Sequence, residues 1–203
     1  MNIVEHWDLA VQELSESDKT LKKVISLYPH EKITLKNDGF LTLIRSVVGQ
    51  QISVKAADSV WKKLEELCKK SMKPKTILSF SLEELRNVGL SKSKANYIQN
   101  IANSNILDTN WEETSDTEAT KLLCTIKGIG KWTAEMFLIF HLARPNILPL
   151  GDIGLIRAME NQYNKGKKIS NNTIEKLRER WDPWCSVVTW YLWRSLDPVP
   201  VNY

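Results

Sequence analysis

The residues best suited to chemistry in this sequence lie between Leu122 and Met159, in LLCTIKGIGKWTAEMFLIFHLARPNILPLGDIGLIRAM. Gly128-Ile129-Gly130 separates two apolar runs of helical periodicity, and Asp152 follows a Pro-containing loop at the start of a further run. Glycines at such a turn adopt backbone angles that a β-carbon forbids and leave amide N–H groups at the head of the next helix. Those donors and the positive end of the helix dipole favour an anion such as a phosphate. Lys127 and Lys131 add positive charge on either side. Taken alone, the pair fits equally a plain turn whose glycines only cap and pack two helices. Asp152 stands just before Ile153-Gly154-Leu155-Ile156, where a helix N-cap is wanted, so by type and place it reads first as a cap. The two roles are compatible, because a helix start favours the negative charge of a carboxylate that works electrostatically.

The elements that must position these residues are helical. Ile3, Trp7 and Leu14, then Leu21, Val24, Ile25 and Tyr28, predict helices over 3–14 and 18–28, the second stopped by Pro29. Residues 40–48 are apolar almost all round and predict a buried helix ending at Gly49. Ser53 is placed to cap a helix over 54–70, and Ser81-Leu82-Glu83-Glu84 reads as a capping box for a short helix ending at Gly89. Further helices are predicted from Ser91 to about residue 104, from about residue 117 into the glycine turn, and over 171–181, with a last one starting at Pro183. Strand signals are nearly absent. The fold class predicted is all-α, with about ten helices, and two helical lobes with a crevice between them are compatible with it.

Composition narrows the class of partner. A net charge of +4 with a pI near 8.9 leans mildly towards a polyanion. Cys68, Cys124 and Cys185 are far apart, odd in number and form no C-x-x-C pair, so they build neither a zinc site nor a four-cysteine iron–sulfur cluster. They read as buried thiols in a reducing compartment. Charged residues interrupt the N-terminal apolar run, and no uncharged run approaches the roughly 20 residues of a membrane span. The expectation is a cytoplasmic protein with no membrane partner.

Four stretches resemble one known family. L-x-x-I-K-G-I-G-K-W-T-A resembles the helix-hairpin-helix of DNA repair glycosylases, and L-P-L-G-D-I-G-L resembles their Gly/Pro-rich loop with its catalytic aspartate. V-V-G-Q-Q-I-S at 47–53 and W-D-P-W-C-S…W at 181–193 resemble the branch that removes alkylated bases, the DNA-3-methyladenine glycosylase II type of the HhH-GPD superfamily. The resemblance implies a single glycosylase domain over residues 1–203, made of two helical lobes with a DNA-binding cleft between them and no extra N-terminal α+β domain. It implies a monomer acting on double-stranded DNA that contains damaged bases. No metal and no cofactor are expected, with at most a monovalent cation at the hairpin. The compartment is then the nucleoid-bearing cytoplasm of a bacterium or archaeon, or a eukaryotic nucleus.

The family's roles carry over residue by residue. Lys127, Gly128, Ile129, Gly130, Lys131 and Thr133 match the phosphate-gripping hairpin, and Asp152 the catalytic carboxylate. Trp132 and Trp193 match two pocket tryptophans that stack on a flipped base. Met136 stands one turn after Trp132, where some relatives have a tyrosine. Gln50 and Gln51 belong to V-V-G-Q-Q-I-S and are expected to reach the duplex from the lobe opposite the intercalating loop. That loop corresponds to Gly89–Lys92, where Leu90 is the large apolar residue and Lys92 lies equally close to the matching position. Cys185 replaces the family's usual arginine, and Trp181, Trp184 and Trp190 suit the core.

Cleavage of an N-glycosidic bond leaves the sugar oxocarbenium-like, which an anion beneath it stabilises while it orients or deprotonates a water. An alkylated purine already carries positive charge, so one carboxylate suffices, unlike the pair used on ordinary glycosides. Members that also cleave the backbone carry a Schiff-base lysine two residues after the second hairpin glycine, and here Trp132 stands there. The reading is therefore a monofunctional hydrolase that excises alkylated purines such as 3-methyladenine and 7-methylguanine. The alternative is a non-catalytic helix-hairpin-helix module that only grips phosphates. With Trp132 in the lysine's place, borohydride should trap no covalent protein–DNA complex on damaged or abasic duplex, as read by denaturing electrophoresis; a trapped complex would refute the monofunctional assignment.

Overall fold

The computed structural model describes residues 3–35 and 37–197. Among them are twelve α-helices, a 3-10 turn at Ile106–Asp108 and no strand. In chain order the helices are α1 Trp7–Ser17, α2 Lys19–Ser26, α3 Gly39–Gly49, α4 Val54–Leu67, α5 Pro74–Leu78 and α6 Leu82–Asn87. They continue with α7 Lys92–Ala102, α8 Asp116–Cys124, α9 Lys131–Phe140, α10 Ile153–Asn164, α11 Asn171–Trp181 and α12 Cys185–Arg194. Short polar residues start most of them, because a side-chain oxygen satisfies amides that the first turn leaves unpaired. Asp18, Asp38, Ser53, Ser91, Asp152 and Ser170 each accept from a backbone N–H two or three residues on. Ser81 with Glu84 and Ser115 with Glu118 form reciprocal capping boxes.

The chain folds into two compact units. One takes in the residues up to Leu35 and again from Leu142, and the other is the segment between them, ending at His141. In the first unit α12 is the central rod: all ten of its residues are buried, and it packs on α1, α2, α10 and α11. Trp190 meets Trp7 edge-on at 5.4 Å between ring centres. Arg194 lies over the Tyr28 ring and pairs through two nitrogens with both Glu31 oxygens at 2.8 Å. In the second unit α3 is central, packing on α4, α7 and α9, while α8 lies on α9 and α5 and α6 lie on α7. Apolar side chains almost all round α3 and α9 make this possible, as burial on several faces requires.

Several boundaries differ from expectation: the first helix runs on to Ser17, the second stops at Ser26 and the sixth at Asn87. The first helix starts at Trp7 because Ile3 is drawn into the core and its N–H donates to the Ala143 carbonyl, a tertiary contact no local pattern encodes. The fourth stops at Leu67 since Lys69 and Lys70 take left-handed angles. The last starts at Cys185, two residues after Pro183. The short segment opened by Pro74 is a helix in its own right, with proline at its first position where no N–H is needed.

Asp18 secures the first unit. Its side chain is 1% exposed. One oxygen accepts from the Thr20 and Leu21 amides, and the other from the Tyr163 hydroxyl and the Trp181 indole N–H, both at 3.0 Å. Arg180 stands 3.6 Å away. One carboxylate thereby ties the start of α2 to α10 and α11, and burial together with that negative charge pushes the Tyr163 hydroxyl well above its ordinary value. Asp18→Ala strands these donors in the core and should destabilise the protein by about 3–5 kcal/mol, measured as a lowered urea midpoint; an unchanged midpoint would show that the network carries no stability.

Candidate active site and nucleic-acid interface

The glycine turn lies in the second unit, between α8 and α9. Gly128 has φ +109°, and a β-carbon built on it would fall 2.1 Å from the Tyr97 ring, so both backbone and neighbour demand glycine. Gly130 is different. It is extended, caps α9 without any side-chain bond, and a β-carbon there would meet nothing within 4 Å. Three residues of α7 at intervals of three brace the turn: Tyr97 by contact, Asn100 by donating to the Lys127 carbonyl, and Lys94 by donating to the Val48 and Gln50 carbonyls. Burial pulls the Lys94 ammonium below its ordinary value, and those two carbonyls keep it supplied with acceptors. Gln50 completes the brace, its amide donating to the Gly128 carbonyl at 3.3 Å and to Thr133 Oγ1 at 3.0 Å. These bonds and the Tyr97 contact leave the surface of Gly130 open.

The hairpin's exposed members are Lys127, Gly130 and Lys131, whereas the side chains of Ile129 and Thr133 are buried. Lys131 is 78% exposed, with its ammonium 3.6 Å from Glu135. Trp132 is half-buried on the first turn of α9.

Asp152 lies in the first unit. The loop that leads to it is pinned to α12. Ser186 Oγ donates to the Arg144 carbonyl at 2.7 Å and accepts from Ile147 N, the Ser186 amide donates to the Pro145 carbonyl, and Thr189 Oγ1 donates to the Ile147 carbonyl. The chain then turns through a bond from Asp152 N to the Pro149 carbonyl and enters α10. One carboxylate oxygen, Oδ1, accepts from the Leu155 amide at 2.6 Å and from the Trp193 indole N–H at 3.1 Å. Ser186, Thr189 and Trp193 fall on one stripe of α12, so a single buried helix holds both loop and acid. Asp152 itself is half-exposed, beside Ile153, which is 85% exposed. It lines an open groove of about 520 Å³ that Arg157 and Glu160 also border.

Several expected residues stand elsewhere than their sequence positions implied. Leu90 is only 4% exposed and packs in the core of its unit, whereas Lys92, two residues on and first in α7, is exposed. Met136 is wholly buried in α9. Gln50 and Gln51 belong to the same unit as the Gly89–Lys92 turn rather than to an opposite lobe, and Gln50 is engaged with the hairpin. Gln51 is exposed with φ +55°. Trp193 is 7% exposed and bonded to Asp152. Trp181, Trp184 and Trp190 are core residues, and Cys185 is buried, its thiol pushed up to about 12 by desolvation. Sequence reasoning missed Lys94, Tyr97 and Gly154. Only Gly154 left a signal, as a glycine in a first helical turn where propensity disfavours it.

An all-helical frame that carries a glycine turn and a helix-capping acid is compatible with a nucleic-acid-processing class of protein, and comparison shows that class. The chain belongs to the HhH-GPD superfamily of base excision DNA repair proteins, whose family model matches residues 44–183. DNA-3-methyladenine glycosylase 1 of Schizosaccharomyces pombe is 28% identical over 195 residues, spanning 93% of this chain and 86% of that protein. The solved structure of the Schizosaccharomyces pombe 3-methyladenine DNA glycosylase Mag1 with abasic DNA superposes with a TM-score of 0.81 at 28% identity, covering 92% of this chain and 95% of that one. YfjP of Bacillus subtilis is 33% identical over 129 residues, a match spanning 62% of this chain but only 45% of that relative.

The two hairpin glycines should separate cleanly on mutation. Gly128→Ala forces a left-handed backbone and a clash with Tyr97, costing upwards of about 1–3 kcal/mol, seen as a lowered Tm. Gly130→Ala should cost no more than about 1 kcal/mol yet weaken duplex DNA binding in a fluorescence titration. Equal stability losses in both would contradict the difference in their surroundings.

Proposed function

We propose that this chain is a monofunctional DNA glycosylase that hydrolyses the N-glycosidic bond of alkylated purines in duplex DNA and so initiates base excision repair. The observation that carries the reading is the Asp152 carboxylate, held by two hydrogen bonds at the head of α10 yet half-exposed, in a chain of the HhH-GPD superfamily. The likeness to relatives named as 3-methyladenine glycosylases supports the substrate class.

The chemistry follows from charge. The hairpin amides and Lys127 and Lys131 hold a backbone phosphate, and the damaged nucleotide is turned out of the stack. Trp132 offers a ring face to the flipped base. The bond from C1′ to the base nitrogen breaks, and its electron pair leaves with the cationic purine, which departs neutral. Asp152 stabilises the oxocarbenium-like sugar. A water oxygen then bonds to C1′ and its proton passes to Asp152 or solvent, leaving an abasic site and a free base. No step needs a cofactor, because the lesion supplies the charge that drives its departure. Such an enzyme works where the genome is, in a prokaryotic nucleoid or a eukaryotic nucleus.

A module that only binds DNA needs the hairpin and has no use for an acid held on a buried helix. Incubation with N-methylated duplex DNA, followed by chromatography of the released bases, should show 3-methyladenine and 7-methylguanine. Asp152→Asn should slow release at least about a hundredfold with DNA affinity kept. No release by the wild type, or full activity in Asp152→Asn, would overturn the proposal.

A further inference from the structure

Asp152 does more than cap a helix, and its surroundings show how it is aimed. An N-cap carboxylate needs only the amide of the third helical residue, here Leu155, to satisfy the helix start. Oδ1 accepts a second donor, the Trp193 indole N–H, from the far end of α12. The second helical position of α10 is Gly154. A β-carbon there would sit 3.0 Å from that same Oδ1 and 3.8 Å from the near carbon of the Trp193 indole. Any other residue would press on the carboxylate where both of its donors converge. Capping alone does not explain a glycine at this place, since helix propensity favours alanine over glycine. Packing alone does not explain an indole, since a phenyl ring would fill a buried site without a hydrogen to place.

We propose that Trp193 and Gly154 are positioning residues for Asp152: the indole N–H fixes one carboxylate oxygen and the missing β-carbon leaves that oxygen room. The role rests on Asp152 being the acid of the proposed glycosylase. Trp193 thus acts through the acid, and its position on the same stripe as Ser186 and Thr189 makes α12 the rail on which both loop and carboxylate are set. A small displacement of such a group costs rate rather than binding, because the sugar's charge develops only in the transition state.

Full-length Trp193→Phe, Gly154→Ala and the double variant test this. All three should bind abasic-site duplex within about threefold of wild type. Single-turnover release of 7-methylguanine at saturating enzyme should fall about ten- to a hundredfold. The double variant should be little slower than the worse single one, because both loosen one anchor. An undiminished saturated rate in either single variant overturns the proposal. So does a loss confined to affinity, which would make Trp193 a substrate contact. Should Trp193→Phe fail to fold, Gly154→Ala, which keeps the whole indole, decides alone. A readout independent of turnover is the Trp193 indole N–H resonance of 15N-labelled protein, which should move in both Asp152→Asn and Gly154→Ala; an unmoved resonance overturns the anchor. A wild type that releases no base refutes the glycosylase reading, and the resonance still decides whether the anchor exists.

Discussion

The hydrogen bonds that α12 makes from inside the core are what the acid depends on. A buried hydroxyl or indole N–H left unpaired is costly, so polar atoms on a wholly buried helix must find partners. Those of Ser186, Thr189 and Trp193 find the carbonyls of Arg144 and Ile147, the amide of Ile147 and the carboxylate of Asp152. The loop contains Pro145 and Pro149, which have no N–H to offer, so its irregular backbone is held largely through carbonyls and by the helix beside it. The loop is thereby tied to a helix whose ten residues are all buried.

The hairpin in the other unit is built on the same principle with different parts. Gln50 and Asn100 donate to carbonyls of the turn, Lys94 fastens the end of α3 that carries Gln50, and Tyr97 fills the space a Gly128 β-carbon would need. The Ile129 amide is spent on the Ile126 carbonyl, and the open surface of the turn is at Gly130, the head of α9, where the helix dipole favours an anion. Lys127 and Lys131 add exposed positive charge on either side of it.

Two aspartates show how burial decides which carboxylate stays accessible. Asp18 and Asp152 each cap a helix, and each accepts a bond from a tryptophan indole N–H. Asp18 is 1% exposed, with both oxygens engaged and Arg180 near, so its charge is spent on cohesion. Asp152 is half-exposed and borders an open groove, so its charge can act on something that arrives from outside. Each has a leucine three residues on whose amide it caps, and that local rule does not tell them apart.

The sequence by itself determined the all-helical class, several caps, the glycine turn and the acid, because these rest on local rules: helical periodicity, capping chemistry and the backbone freedom of glycine. It also carried enough ordered residues to point to the superfamily. The tertiary structure alone decided which side chains reach the surface and which are spent inside. Leu90 and Met136 sit in stretches that suit a wedge and a pocket, yet long-range packing buries them; Gln50 turns to the hairpin of its own unit; Ile3 leaves its helical pattern to pair with Ala143. The Trp193–Asp152 bond joins residues 41 apart, and Tyr97 meets Gly128 across α7 and the turn. Such contacts depend on how helices pack, which no spacing within a single helix can specify.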